Sequence, residues 1–390
     1  MRHLFCRTAL VGFSLAILAP AAVFAQETPS VSAQPAELDE IVVTATRRTT
    51  NVLDVPVAVS TYDSKALERA GLADVKRLQS ISPSLNVTTT QGDSQGAVIR
   101  VRGVGTSGSN PGLESATGVS IDGVFRSRSN VALGDLLAID RIELLRGPQG
   151  TLFGKNTTAG VINILTKLPA FTPGTELTST LGNYDLQQYS AGVTGPIVGD
   201  TLAGRLDVLY SHRDGWLKSP YSDQTFADRQ RSAIRGQLYW TPSDDLKVRV
   251  IADYTKRDES TANPPTYRLV GPTGPLIGAF GPTPVAENQP TSDAPQIDNK
   301  SPRVDRYEEM GLSGEANWKV GPGTLTTITA YRVATPNRSF DVEGSPADLL
   351  RDIDDGERYM TFTQEVRYQG MAGDLPLIFH PARTRVSTLV

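Results

Sequence analysis

Cysteine is almost missing from this chain: its 390 residues hold one, Cys6, and only three histidines, His3, His212 and His380. Residues 1–25 read as a secretory leader. Arg2 and Arg7 give it a positive start, 8–18 form an apolar core too short to cross a bilayer as a helix, and Val23, Phe24 and Ala25 make a cleavage site before Gln26. Cleavage there removes Cys6, so disulfides and cysteine-ligated metals are excluded from the mature chain. Cys6 precedes the apolar core, which excludes it as a lipoprotein acylation site. Three scattered histidines make no metal cluster, and no nucleophile motif is present, so neither an enzyme nor a cofactor is expected. Beyond the leader there is no apolar run of about 18 residues, hence no transmembrane helix; a chain that crosses a membrane without one must do so as a closed β-barrel. A positive excess is missing too. The net charge is −4, which argues against nucleic acid as a partner.

The turn-formers are plentiful, with 35 glycines and 26 prolines. Residues 26–39 are rich in Pro, Ser and Ala and predict a disordered linker. The string DEIVVTATRR (39–48) follows. It is a short β-prone run between acids and bases, which suits a first strand or an extended peptide that adds to another sheet. Residues 51–170 then mix short helices and strands. Val55 to Ser60 reads as a strand, Asp63 or Ser64 caps a short helix through Ala70, and Gly71 ends it. A second short helix runs over 74–81, and strands run over 97–102, 118–124 and 161–166. Two nucleotide-like motifs fail on context. GVGTSG (103–108) has dinucleotide spacing, but Ser109, Asn110, Pro111 and Gly112 cannot open the helix that would hold a pyrophosphate. Around Lys155, Gln149 stands where a phosphate loop needs glycine and Asn156 where it needs Ser or Thr.

The string DRIELLRGPQGTLFGKNTTAGVINILTK (140–167) closely resembles the end of the plug domain of TonB-dependent outer-membrane receptors. Residues 99–103 and 145–150 match the two recurring Arg-Gly elements of such plugs. The resemblance implies a leader (1–25), a periplasmic linker with a TonB box (26–50), a plug (51–170) and a barrel beyond. It makes Glu40, Ile41, Val42, Val43, Thr44 and Ala45 the segment offered to TonB. It also implies that Arg102 and Arg146 seat the plug against barrel carboxylates, with Glu365 the candidate partner; guanidinium forks suit such pairing. The Gly- and Ser-rich loops, with Gln91, Asp93, Ser94, Thr106, Ser107, Ser109 and Asn110, are placed toward an external ligand. The implied activity is active uptake of a scarce solute across the cell outer membrane, an iron–siderophore complex being the commonest choice in the family. The implied partners are TonB with its inner-membrane energising complex, the solute and outer-membrane lipid.

From 171 to 370 the residues alternate. Leu202, Gly204, Leu206, Val208 and Tyr210 oppose Ala203, Arg205, Asp207, Leu209 and Ser211. Eight strands are expected near 174–182, 185–195, 201–212, 229–241, 246–257, 306–319, 323–334 and 357–369. Their length suits a tilted membrane crossing. Short turns follow the second, fourth and sixth strands and long connections the third, fifth and seventh. That is the parity of periplasmic turns and external loops when the chain enters from the periplasm. The expected fold class is therefore an α+β plug followed by an antiparallel membrane β-barrel with about 8 of the 22 strands the family implies. Eight strands enclose too little space for a plug of about 120 residues, whose radius of gyration is about 14 Å. Alternation stops after Gly370, so residues 371–390 are expected to be an aberrant tail after a truncation or frameshift. An alternative of a different class is a non-transporting plug fragment that only binds TonB in the periplasm.

Overall fold

The computed structural model describes residues 42–44, 50–51, 55–71, 75–89, 97–106, 114–126, 137–218, 225–260, 304–341, 351–354, 358–372, 375–379 and 382–389. The leader, Glu40, Ile41, Ala45, Gln91, Asp93, Ser94, Ser107, Ser109, Asn110 and the connection 261–303 lie outside the described residues.

The plug is α+β. Its N-terminal pair is β1 (Val42–Val43) with β2 (Thr50–Asn51). Then come β3 (Val59–Asp63), α1 (Ser64–Arg69), a 3-10 turn (Val75–Ser80), β4 (Leu85–Thr89), β5 (Ala97–Val101), β6 (Thr117–Ile121), β7 (Val124–Arg126), β8 (Ile139–Arg146), α2 (Gly150–Phe153) and β9 (Gly160–Thr166). Strands β4 and β5 pair as a separate hairpin, and the other five form one sheet in the order β3-β8-β9-β6-β7. The Asp63 carboxylate accepts the Ala66 N–H at 2.7 Å, so the predicted cap of α1 is formed. Strand β9 is central and mostly apolar because both faces are covered, with Asn163 the polar exception at its middle. Val161, Ile162 and Ile164 are buried, and each such side chain contributes about 1.5–3 kcal/mol relative to exposure. The turn between β6 and β7 has two residues, Asp122 (φ +50°) and Gly123 (φ +79°). An Asp-Gly pair tolerates two left-handed positions in succession, and this turn carries the Asp122 carboxylate beyond the sheet.

Past the plug the wall begins: β10 (Gly174–Gly182), β11 (Leu186–Val198), β12 (Leu202–Arg213), β13 (Leu217–Lys218), β14 (Thr225–Phe226), β15 (Arg229–Ser243), β16 (Leu246–Glu259), β17 (Val304–Val320), β18 (Gly323–Asp341), β19 (Arg351–Asp354), β20 (Arg358–Ala372), β21 (Leu375–Phe379) and β22 (Ala382–Leu389). The order β10-β11-β12-β15-β16-β17-β18-β20-β21 is an all-antiparallel meander, with β19 on β18 and β22 on β20. All eight expected strands are present, seven of them within three residues of their expected ends, while β18 runs on to Asp341, seven residues past the expected 334. Among the described residues the sheet does not close on itself.

The tail differs from expectation. In place of an aberrant segment over 371–390, β21 pairs Leu375 with Ala372 and Phe379 with Tyr368, and β22 continues along β20 from Ala382 opposite Glu365 to Leu389 opposite Arg358. The two share one register and behave as a ninth crossing. Backbone groups alone template an edge, so pairing proceeds where side-chain alternation has faded. Only residues 373–374 separate β20 from β21, on the same side as the short connections 199–201, 244–245 and 321–322. The expected parity thus extends by one strand.

The wall is inside-out. Leu312 is 57% exposed and Trp318 52%, whereas Arg332 is 5% and Asp207 2% exposed. Leu206, Val208, Ile234, Leu238, Val250 and Phe362 also face outward. No helix among the described residues is long and apolar enough to cross a membrane; the crossing elements are these strands. Trp240 and Trp318 stand near the short turns, where amphipathic rings suit a headgroup boundary. Leu312→Arg is expected to lower stability in the membrane by about 2–4 kcal/mol, read as a lower urea midpoint in isolated outer membranes. An unchanged midpoint would mean that this face does not meet lipid.

Candidate functional site

The plug touches the wall through polar groups on both sides. Asp122, at the β6–β7 turn, accepts the Thr166 N–H at 2.9 Å and the Thr166 hydroxyl at 2.8 Å. Arg249 of β16 donates from Nη1 to Asp122 at 3.1 Å and from Nη2 to Thr166 Oγ1 at 2.7 Å. Arg235 of β15 lies 3.9 Å from the same carboxylate. Gln237 completes the contact: its carbonyl oxygen accepts Arg249 Nε at 3.0 Å, and its amide donates to the Lys167 carbonyl at 3.2 Å. Burial alone would raise the Asp122 pKa. The Arg249 and Arg235 guanidiniums and the two Thr166 bonds outweigh it and hold the carboxyl below its ordinary value.

A second seat lies farther from the short turns. Arg126 of β7 donates to Glu309 Oε1 at 3.0 Å. Arg332 donates to the same oxygen at 2.7 Å and forks onto Asp253 at 3.0 and 2.5 Å. Gly311 makes room for this: a Cβ there would lie 2.1 Å from Arg332 Nη1. Between the strands below, Val124 packs against Ile328 and Ala330.

These are not the seating residues expected from sequence. Arg146 turns back into the plug, donating to Val59 O at 3.3 Å and Ser60 Oγ at 2.7 Å. Arg102 is exposed in a left-handed turn (φ +52°), where its backbone N–H meets Ser84 O at 2.7 Å. Among the described residues neither reaches a wall carboxylate. Glu365 does face inward, as expected, and pairs with Arg367 on its own strand at 2.5 Å. Strand parity assigns a residue to a face, but which plug arginine meets which wall acid depends on how the whole plug sits.

Part of the expected TonB box is docked. Val43 is fully buried in a cluster with Leu145, Phe153 and Val161. Thr44 donates from N to Glu143 Oε1 at 2.8 Å, and its hydroxyl lies 3.1 Å from both Glu143 oxygens. Asn163 Nδ2 donates to Glu143 Oε2 at 3.0 Å and Arg141 Nε to Oε1 at 2.9 Å. Glu143 is therefore a buried carboxylate with its acceptors filled. Sequence reading missed it, although an acid set between Ile142 and the Leu144–Leu145 pair was a usable signal. A polar cavity of about 340 Å³, lined by Thr44, Asn163, Asp122 and Arg249 among others, joins this clamp to the first seat. Of the seven residues expected to contact a ligand only Thr106 is described, and it is half-buried.

The chain is similar to known proteins in its plug and in its overall fold. Residues 51–161 match the model of the TonB-dependent receptor plug domain. The pesticin receptor of Yersinia pestis is 31% identical over 217 residues, 55% of this chain and 32% of that protein. The ferrichrome outer membrane transporter/phage receptor of Escherichia coli (strain K12) is 27% identical over 218 residues, 56% of this chain and 28% of that protein. Among solved structures, the ferric yersiniabactin uptake receptor of Yersinia pestis aligns with a TM-score of 0.68 at 20% identity, covering 85% of this chain and 48% of that one. The chain thus spans about a third of the length of the curated relatives it matches.

Proposed function

We propose, for a chain that belongs to the TonB-dependent outer-membrane receptors by its plug domain and by the fold of its wall, a part in active uptake of an iron–siderophore complex across the cell outer membrane. The observation that carries the reading is the double attachment of one small domain. The same plug sheet that holds Val43 and Thr44 through Glu143 is bound to an inside-out membrane wall through Asp122 and Arg126. Force applied to the box would act on β8 and β9, which hold it, and through Asp122 and Thr166 on the wall.

The partner for that force is TonB, driven by its inner-membrane complex, because the outer membrane has no ATP. Residues 40–45 offer TonB an extended segment for strand addition. The plug is seated by Asp122 with Arg249 and by Arg126 with Glu309. Relatives named for ferrichrome and ferrioxamine B support a ferric chelate as cargo. Closing the barrel needs strands that cover the outer edges of β10 and β21–β22, since each unpaired backbone group in hydrocarbon costs several kcal/mol. Transport settles the reading: cells deleted for the gene should lose uptake of radioactive iron from a ferric siderophore that the parent uses, and a protonophore should abolish it in the parent. Equal uptake by parent and deletion strain for hydroxamate, catecholate and carboxylate chelates would refute an iron-uptake role.

A further inference from the structure

Glu315 of β17 lies beside the first seat without belonging to it. It stands directly opposite Arg249 across β16 and β17, where facing Cα atoms are about 4.5–5.5 Å apart. Yet Arg249 is ion-paired to Asp122 and, among the described residues, not to Glu315. It is turned to the plug, held by Asp122 at 3.1 Å, by Thr166 Oγ1 at 2.7 Å and by Gln237 Oε1 at 3.0 Å. Glu315 is half-buried, and its Oε1 accepts Asn317 Nδ2 at 2.8 Å. The Thr326 hydroxyl donates to Asn317 Oδ1 at 2.7 Å, which fixes that amide with its N–H side toward Glu315. Among the described residues Glu315 Oε2 has no hydrogen-bond donor. Asp122, Arg249 and Glu315 all border the polar cavity of about 340 Å³.

Two of the three groups that hold Arg249, Asp122 and Thr166, belong to the plug and leave with it. The third, Gln237 of β15, stays but is neutral. A buried guanidinium without a counter-charge is costly, so a wall with no other carboxylate in reach would oppose plug withdrawal by that full penalty. Glu315 removes the penalty without any backbone movement, because opposite charges facing each other on neighbouring strands pair directly. The cavity gives the guanidinium room to turn, which a close-packed interior would not. While Thr166 and Gln237 hold it, Arg249 stays turned to the plug, so loss of the Asp122 carboxylate alone does not bring the exchange about. Thr44 of the docked box borders the same cavity, which places the segment that is pulled and the group that would turn around one space.

We propose that Glu315 is a positioning residue for plug release: as Asp122 and Thr166 move away, Arg249 turns from Asp122 to Glu315, and it turns back when the plug reseats. The proposal rests on the uptake reading above and adds to it the wall residue that lowers the cost of opening.

The test is the rate of protease cleavage within residues 51–170 in outer membranes of cells carrying the gene at its own locus, in urea too dilute to unfold the wall. Cleavage under these conditions follows the population of released plug. Glu315→Gln keeps an acceptor for Asn317 but carries no charge. It is expected to slow cleavage about tenfold, because the released state loses a charge-assisted pair, with Glu315→Asp falling between the two. A carboxylate that only propped up the seated wall would act with the opposite sign. Faster cleavage in Glu315→Gln would therefore overturn the proposal. Arg249→Met loosens the seat by itself, but adding Glu315→Gln to it should change cleavage no further, since the group that turns is gone. An undiminished slowing in the double variant would mean that Glu315 acts through some other group, and would overturn the proposal as well. None of these readings involves transport. Slower cleavage in Glu315→Gln in a strain that takes up no iron would keep the exchange and refute the uptake reading. Iron uptake by the parent, with cleavage unchanged in Glu315→Gln, would refute the exchange and leave uptake standing.

Discussion

Replacing Asp122 with alanine should loosen the plug from its wall by about 3–5 kcal/mol, the usual effect of removing one member of a buried ion pair. The large value follows from what remains. Arg249 and Arg235 lose their shared carboxylate, and the Thr166 N–H and hydroxyl lose their acceptor. Arg126→Met should act less strongly, because Glu309 keeps Arg332 at 2.7 Å. Protease cleavage within residues 51–170 in isolated outer membranes reports the difference. Cleavage should be fast in Asp122→Ala and slower in Arg126→Met, with the parent protected. Identical protection in all three would remove Asp122 from the seat. The same group sets an acid limit. Its folded pKa is lowered, so its contribution is fully present above the ordinary carboxylate value of about 3.9 and is lost as pH falls through the lower, folded value. The parent should stay protected until the medium is more acidic than that ordinary value, and Asp122→Asn should lack this transition.

Much of the architecture was legible because membrane strands obey a simple rule. A period of two with apolar residues on one face survives even where Gly204 or Gly314 interrupts it, and eight strands could be placed from it. Length parity of the connections then fixed which turns share a side. Contacts between domains followed no such rule. Arg102 and Arg146 were singled out by their place in a family pattern, yet the left-handed backbone at Arg102 leaves it exposed, and Arg146 is taken by the Ser60 hydroxyl and the Val59 carbonyl. Asp122 looked like an ordinary turn residue, since Asp-Gly pairs have a sufficient local reason to occur in a two-residue hairpin. Its second role exists only once β16 is beside it. Glu143 was visible in principle, because an acid between Ile142 and Leu144 is carried into the core with them and a buried acid needs donors. The ninth crossing was missed because side-chain alternation was the signal used, whereas edge pairing is made by the backbone.

Val43→Pro is expected to bring energised uptake down to the level of the gene deletion while ligand binding in the cold stays within about twofold. Proline has no N–H to donate in strand addition. The difficulty is that Val43 is itself packed against Leu145, Phe153 and Val161, so the substitution also undocks the segment. Glu143→Gln separates the two effects. It leaves every backbone donor of the box in place but weakens the clamp, because Thr44, Asn163 and Arg141 all donate to that carboxylate, and bonds to a charged acceptor are worth about 1.5–3 kcal/mol each. The box should then be released and more open to protease or to a crosslinker placed at Thr44, with uptake kept or raised. Loss of uptake in Val43→Pro together with its retention in Glu143→Gln means that the segment works by pairing with a partner strand. Equal loss in both would mean that docking on the plug, and not strand addition, is the property uptake depends on. If Val43→Pro transports normally, residues 40–45 are not the coupling segment at all.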